Sequence, residues 1–282
     1  MKYSNQVIWI TGASSGIGYA TCQFLLKQGH FVFGSVRKEA DAMRLQSEFG
    51  HQFKALVFDV CDDEGVAKAA GEVTKIVGKN GLAGLVNNAG IVVYGPLKEL
   101  KLSEFERQME VNVYGLLRVT KAFLHLLGAQ HPQLFPAGKI INISSVSGIF
   151  TTPFLVPYCA SKKAVEAITD GLRMELLPYG IDVVSILPGP VKTSIWAKAD
   201  EQKNEFQGTD YENIMERSTR MIAKAEQKTI APERVAQLIN GIFANQKRRP
   251  HYIITANPWP MRIARLLPAR WVDYFIKKNM KF

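Results

Sequence analysis

The sequence predicts an α/β fold, a doubly wound, seven-stranded parallel sheet with helices on both faces. Three observations carry that prediction. Short β-branched or aromatic runs alternate with longer amphipathic stretches, the pattern of repeated βαβ units. Those stretches open or close on Gly, Ser, Asp or Pro, as helix caps and stops require. The 282 residues, 47% apolar and 21% charged, suit one large packed domain and exclude wholesale disorder or a collagen-like repeat.

In chain order, strands are expected at Val7–Thr11, Phe31–Val36, Phe53–Phe58, Gly84–Asn87, Lys139–Ser144, Ile181–Leu187 and near His251–Ile254. Helical patterns fall between them at about Ile17–Gln28, Asp62–Gly78, Ser103–Leu127 and Pro157–Leu177. Parallel strands joined by right-handed crossovers put these helices on both sheet faces. After Leu187 the pattern changes. Pro188-Gly189-Pro190 ends the sixth strand, and a polar stretch of helical composition runs from about Lys198 to Lys228. Residues 194–230 are therefore expected to form a substrate lid within a single domain of residues 1–282, followed by a basic amphipathic extension at 247–282.

Several function classes drop out on composition. Cys22, Cys61 and Cys159 form no CxxC pair, so neither a disulfide framework nor a cysteine zinc site is expected, and a reducing compartment fits. The five histidines are too scattered for a ligand set, so no metal is expected. Met1 to Ile10 holds one lysine and a four-residue apolar run, too little for a signal peptide, and no run reaches the ~18 to 20 apolar residues of a membrane span. A cytoplasmic protein is expected, with the tail as the one reason to place it peripherally at a membrane.

The net charge of +10 is unevenly spread, because from Lys247 onward nine Lys and Arg face Asp273 alone. Trp259 to Lys278 mixes apolar, aromatic and basic residues as an interfacial helix would, interrupted by Pro268. Three assignments stay open for it: a cover on the substrate pocket, a subunit contact, or contact with an anionic membrane. Nucleic acid is not expected, since no aromatic stacking platform or basic reading helix accompanies the charge.

The chemistry starts where the first strand runs into Thr11-Gly12-Ala13-Ser14-Ser15-Gly16-Ile17-Gly18 and then a helix. Three glycines let the backbone turn sharply and approach a pyrophosphate, while the helix N-terminus offers free N–H groups. The second strand ends in Gly34-Ser35-Val36-Arg37-Lys38. An NAD site places a carboxylate there for the ribose hydroxyls, whereas Arg37, helped by Ser14 or Lys38, suits a 2′-phosphate, so NADP is expected over NAD. Further on, Tyr158 and Lys162 stand four apart at the start of a helix, on one face. A cation fixed there is expected to lower the pKa of the phenol and make it usable as an acid or base.

These residues resemble the short-chain dehydrogenases/reductases, over about Val7 to Thr193. Four motifs occur in order: Thr11–Gly18, Asn87-Asn88-Ala89-Gly90, Ser145 with Tyr158 and Lys162, and Pro188-Gly189-Pro190-Val191-Lys192-Thr193. The resemblance implies a Rossmann-like domain with a nicotinamide cofactor across the carboxyl ends of the strands. It implies Tyr158 as catalytic acid/base, Lys162 as the residue that binds the nicotinamide ribose and tunes it, and Ser145 as the hydroxyl that polarises the carbonyl. Asn112 resembles the helix asparagine whose main chain holds a relay water. For the cofactor it implies Gly12, Ser14, Ser15, Gly16, Ile17, Gly18 and Arg37, then Asp59, Val60, Asn88, Ala89 and Gly90, and finally Pro188, Gly189, Val191 and Thr193. The stretch Tyr158–Glu166 also resembles the steroid- and retinol-active, 17-beta-hydroxysteroid dehydrogenase-like branch.

Val93, Phe150, Phe154 and Trp196, with Ser145 and Tyr158, are expected to contact substrate, and an apolar, aromatic lining favours a lipophilic alcohol, ketone or aldehyde. The expected activity is NADP(H)-dependent hydride transfer by a homodimer or homotetramer. An NAD-dependent alcohol dehydrogenase with the same site and a non-catalytic NADP-binding sensor are the alternatives.

Overall fold

The computed structural model describes residues 6–193, 206–218, 229–244, 249–257 and 267–280. Seven parallel strands, β1 (Val7–Ile10), β2 (Phe31–Val36), β3 (Phe53–Val57), β4 (Gly84–Asn87), β5 (Lys139–Ile143), β6 (Asp182–Pro188) and β7 (His251–Ile254), form one sheet in the order β3-β2-β1-β4-β5-β6-β7. All seven expected strands are present, with ends shifted by a residue or so. The order reverses between β1 and β4, and an open parallel sheet binds ligands in the crevice that such a reversal leaves outside the carboxyl ends of its strands.

The helices are α1 (Gly16–Lys27), α2 (Glu39–Phe49), α3 (Asp63–Val77), α4 (Leu102–Met109), α5 (Gly115–Phe123), α6 (Val156–Glu175), α7 (Pro232–Ala244) and α8 (Ala269–Met280). Alternation along the central strands sends successive side chains to opposite faces. Ile8 and Ile10 meet α1, α2 and α7, while Trp9 between them packs with α3 and α5 on the other face. Every residue of β4 is buried, as a strand covered on both sides must be. Trp9 anchors the second layer by stacking on Phe123 with ring centroids 4.6 Å apart.

Local signals explain where the helices begin and end. Asp62 caps α3 by accepting from the Glu64 N–H at 3.1 Å, and Gly78, at φ 52°, ends it. The single helical stretch expected over Ser103–Leu127 is α4 and α5 joined by a π turn, Glu110–Tyr114. Two helices went unexpected. α2 buries only Ala42 and Leu45, too thin a stripe to stand out. α7 carries Val235, Ala236, Ile239, Ile242 and Phe243 to the α1 side of the core.

A third apolar cluster lies beyond the sheet, built from Val92, Tyr94, Phe154, Leu155, Tyr158 and Cys159 with Phe206 and Met215. Ile276 of α8 packs against it, so the C-terminal helix lies beside the expected pocket. Its outer face leaves Trp271, Tyr274 and Phe275 exposed. Among the described residues no helix is long and apolar enough to cross a membrane.

Candidate active site

The sheet order lays the loops after β1 to β6 along one groove of about 670 Å³, within the size range of cofactor sites. It runs from Asp59 and Val60 after β3 and Arg37 after β2, past Gly12 to Ile17 and Asn88 to Gly90, to Ser145 after β5 and Pro188 to Thr193 after β6. Tyr158 and Lys162 of α6 line it as well. Residues far apart in sequence are thus brought to a single wall by the strand ends.

The glycine turn is stapled to β4. Thr11 Oγ1 accepts from the N–H groups of Asn88 and Ala89, both at 2.9 Å, and Asn88 Nδ2 donates back to the carbonyls of Thr11 at 2.9 Å and Gly12 at 3.1 Å. The Gly12 N–H donates to Ser35 Oγ at 3.1 Å. Arg44 of α2, absent from the sequence expectations because its helix was, donates to the Ser14 carbonyl at 2.9 Å. Gly12 and Gly16 have φ of 68° and 57°, conformations that a side chain would strain. Ser15, the N-cap of α1, makes no side-chain cap, so the first N–H groups of that helix are left for an anion. The free N–H groups of the α1 terminus, with the Arg37 cation on the same groove, form a donor set that fits an anionic dinucleotide.

Gly18 does not line the groove. A Cβ there would lie 2.1 Å from the Gly12 carbonyl oxygen, so its role is to let α1 sit close under the turn rather than to touch a ligand.

Ser145 hydrogen-bonds the Tyr158 phenol, and its Oγ also accepts from the Ser147 N–H at 3.1 Å. The Lys162 ammonium lies over the Tyr158 ring, 5.8 Å from its centroid, and donates to the Ile143 carbonyl at 2.8 Å. This corrects the electrostatic expectation. Burial pushes the Tyr158 phenol up to about 12, against the opposing pull of the Ser145 bond. Burial likewise pulls Lys162 down to about 8, with Glu166 acting the other way. Desolvation is the leading cause for both groups, and Lys162 points to a strand carbonyl rather than to the phenol oxygen.

Asn112 sits in the π turn, 2% exposed, and its side chain is fully engaged. Oδ1 accepts from the Ile91 N–H at 2.8 Å, and Nδ2 donates to the Ile91 carbonyl and to Ser161 Oγ, each at 3.1 Å. The side chain faces away from the groove and braces the strand-to-loop segment and α6, and a π turn at this point is the kind of irregularity that functional sites favour. Behind it, Asn87 Nδ2 donates to Thr120 and Asn142, and Asn142 to Thr169, each at 2.9 Å. This buried ladder ties α5, β4, β5 and α6 together. His251 adds a further tie, with Nδ1 2.9 Å from Ser185 and 3.1 Å from Glu166.

Three of the expected substrate contacts lie elsewhere. Val93 is fully buried with its N–H on Gln108 Oε1 at 2.7 Å; adjacent residues of an extended segment face opposite ways, and Val92 lines the groove instead. Phe154, at φ 66°, is packed edge-on against Tyr94 and Tyr211. Phe150 is half-buried outside the lining. Trp196 lies outside the described residues, as does most of the expected lid. Leu155, expected from the Gly148–Val156 loop, lines the groove, as does Thr152 of the same loop, while Ile91, Arg107, Val111 and Val146 line it without having been expected. Among the described residues no group of three or more His, Cys, Asp or Glu stands close enough to hold a metal ion.

Residues 6–204 match the family model described as short chain dehydrogenase. The chain is 42% identical over 273 residues to the NADPH-dependent 3-dehydrocapnine reductase of Ornithobacterium rhinotracheale, covering 96% of each chain. It is 33% identical over 241 residues to the 3-ketodihydrosphingosine reductase of Bacteroides thetaiotaomicron, covering 86% of this chain and 84% of that protein. Its fold matches the crystal structure of a short chain dehydrogenase from Burkholderia cenocepacia in complex with NADP, with a TM-score of 0.74, 23% identity and coverage of 98% and 99%.

Proposed function

The chain belongs to the short-chain dehydrogenase family of oxidoreductases, and on that premise we propose that it reduces lipophilic ketones with NADPH, using Tyr158 as the proton donor. One observation carries the reading: Ser145, Tyr158 and Lys162 share the wall of a single groove with the glycine turn and the α1 terminus. Arg37 at the end of β2, with no carboxylate there, supports NADPH over NADH, and so does the NADPH dependence of the 42% identical relative.

The nicotinamide, when bound, supplies a hydride, which protein side chains lack. Gly12 to Ile17 and the α1 terminus would hold the pyrophosphate, Arg37 the 2′-phosphate, and Pro188, Gly189, Val191 and Thr193 the nicotinamide side. Reduction of a carbonyl would build negative charge on its oxygen, next to the hydroxyls of Ser145 and Tyr158. Both hydroxyls donate to that oxygen, and Tyr158 gives up its Oη proton. The cationic form of Lys162, prevalent below about 8, stabilises the tyrosinate that remains. Burial keeps the phenol protonated, the form that carries the proton to be given. A water on the main chain of Asn112 would return the proton.

For substrate, the apolar wall of Val92, Val146 and Leu155 suits an aliphatic ketone, and both named relatives are reductases, one of a keto-sphingoid lipid. Residues 206–218, which add Phe206 and Met215 to the cluster beside Tyr158, support a lid role for the 194–230 segment. The test follows NADPH absorbance across long-chain 2-alkanones and, for the narrower branch, a steroid ketone. Tyr158→Phe should keep NADPH binding and lose turnover at least ~10³-fold; unchanged turnover refutes the mechanism.

A further inference from the structure

A second cavity adjoins the groove. It has a volume of about 400 Å³, is open to solvent, and lies between the loop before α6 and the C-terminal helix. Thr151, Thr152, Pro153 and Val156 form one wall, and Val272 and Ile276 of α8 the other. Thr152 also lines the catalytic groove. The 151–156 segment therefore has two sides: Thr152 and Leu155 look onto the groove that holds Tyr158, while Pro153 and Val156 look onto α8. One residue separates the two spaces.

We propose that this cavity is a subsite for the aliphatic chain of the substrate, entered past Thr152 from the carbonyl position at Tyr158. The inference rests on the lipophilic-ketone reading above and narrows it to ketones that carry a long, unsubstituted alkyl chain. The lining determines the class of ligand. Its walls are mostly aliphatic, and its one charged residue, Asp273, is well exposed and 3.8 Å from Arg270. An alkyl chain laid against these walls covers apolar surface, whereas a polar or charged group gains no dedicated partner from them. The Thr152 wall shared with the catalytic groove points to the substrate's own tail as the occupant rather than a second ligand.

The test uses 2-alkanones from 2-hexanone to 2-dodecanone with the full chain and NADPH, comparing wild type with Val272→Trp and with Ala269→Trp, the latter at an exposed position in the first turn of α8 that also borders the cavity. In wild type, kcat/KM should rise about two- to fourfold per methylene once the chain reaches the cavity, the increment expected for a buried CH₂. In both variants the ratio of kcat/KM for 2-dodecanone over 2-hexanone should fall ~10-fold or more; this ratio does not depend on the fraction of folded enzyme. Calorimetric binding of 2-dodecanone to the NADPH complex supplies an arm that needs no turnover, and its affinity should fall in parallel. An unchanged ratio and affinity in both variants overturn the subsite. Binding that weakens in the variants while no 2-alkanone is reduced by wild type supports the subsite and removes the reductase reading instead.

Discussion

Replacing Gly18 by alanine adds one carbon to the molecule at a place where the consequence can be calculated. The new Cβ would lie 2.1 Å from the Gly12 carbonyl oxygen and 2.6 Å from Asn88 Nδ2, more than an ångström inside ordinary contact. Both neighbours are fixed, one as backbone and the other by its bonds to Thr11 and Gly12. α1 must move out, and Asn88 must give up two hydrogen bonds worth about 1 kcal/mol each, in addition to an overpacking cost of about 1–3 kcal/mol. Alanine returns about 1 kcal/mol of helix propensity, leaving a net loss of about 2–4 kcal/mol. At about 2–3 °C per kcal/mol for a chain of this size, Tm should drop by about 5–10 °C. Because the shifted turn is the one that receives the pyrophosphate, the NADPH dissociation constant should rise ~10-fold or more. Gly71, within α3, has nothing within 4 Å of its hypothetical Cβ, so Gly71→Ala should instead stabilise by about 0.5–1 kcal/mol. Thermal melts of the two variants, with NADPH titrations, decide the matter. Shifts of the same sign, or a Gly18→Ala protein with unaltered NADPH affinity, refute the reasoning.

Other expectations are simpler to state. Arg37→Ala should weaken NADPH about 10- to 100-fold, the value of charge-assisted hydrogen bonds to phosphate, and leave NADH unchanged in a fluorescence titration; equal effects on both would remove Arg37 from the 2′-phosphate. Burial lowers Lys162 to about 8 from its ordinary 10.5, so between those pH values the folded chain has shed a proton that the unfolded chain still holds, and stability rises with pH. Lys162→Met lacks this gain. Urea unfolding should therefore show the difference between wild type and variant shifting in favour of wild type by about 2 kcal/mol from pH 7.5 to 9.5. The exposed Trp271, Tyr274 and Phe275 beside Lys277 and Lys278 should bring the protein down with anionic phosphatidylglycerol vesicles and not with phosphatidylcholine ones; loss of sedimentation in K277E/K278E would assign the contact to this face, and no sedimentation in wild type would remove it.

The strands and the order of motifs could be read from the chain because they depend on local spacing: Val7–Ile10 leads into three glycines, and Tyr158 and Lys162 share a helical face whatever surrounds them. α7 also carries a clear stripe, Val235, Ile239 and Ile242, but it follows an irregular polar stretch that masks its start. What spacing cannot convey is which side of a loop faces a cavity. Val92 and Val93 are equally apolar, and the bond that the Val93 N–H donates to Gln108 Oε1 belongs to a fold that turns Val93 inward. The ionisation of Tyr158 was misjudged for a related reason. A helical interval of four places the ammonium near the ring, but the size of the desolvation depends on everything packed around both groups. Arg44, which steadies the Ser14 carbonyl from a helix 30 residues away, leaves no trace in any motif.

The reciprocal bonds between Thr11 and Asn88 have a kinetic corollary. A binding turn that is already braced before its ligand arrives spends little entropy on becoming ordered, so association should be set by diffusion and charge rather than by rearrangement. The amide hydrogens of Asn88 and Ala89, which point into the Thr11 hydroxyl, should then exchange slowly with deuterated solvent in the apo protein, and nearly as slowly once NADPH is added.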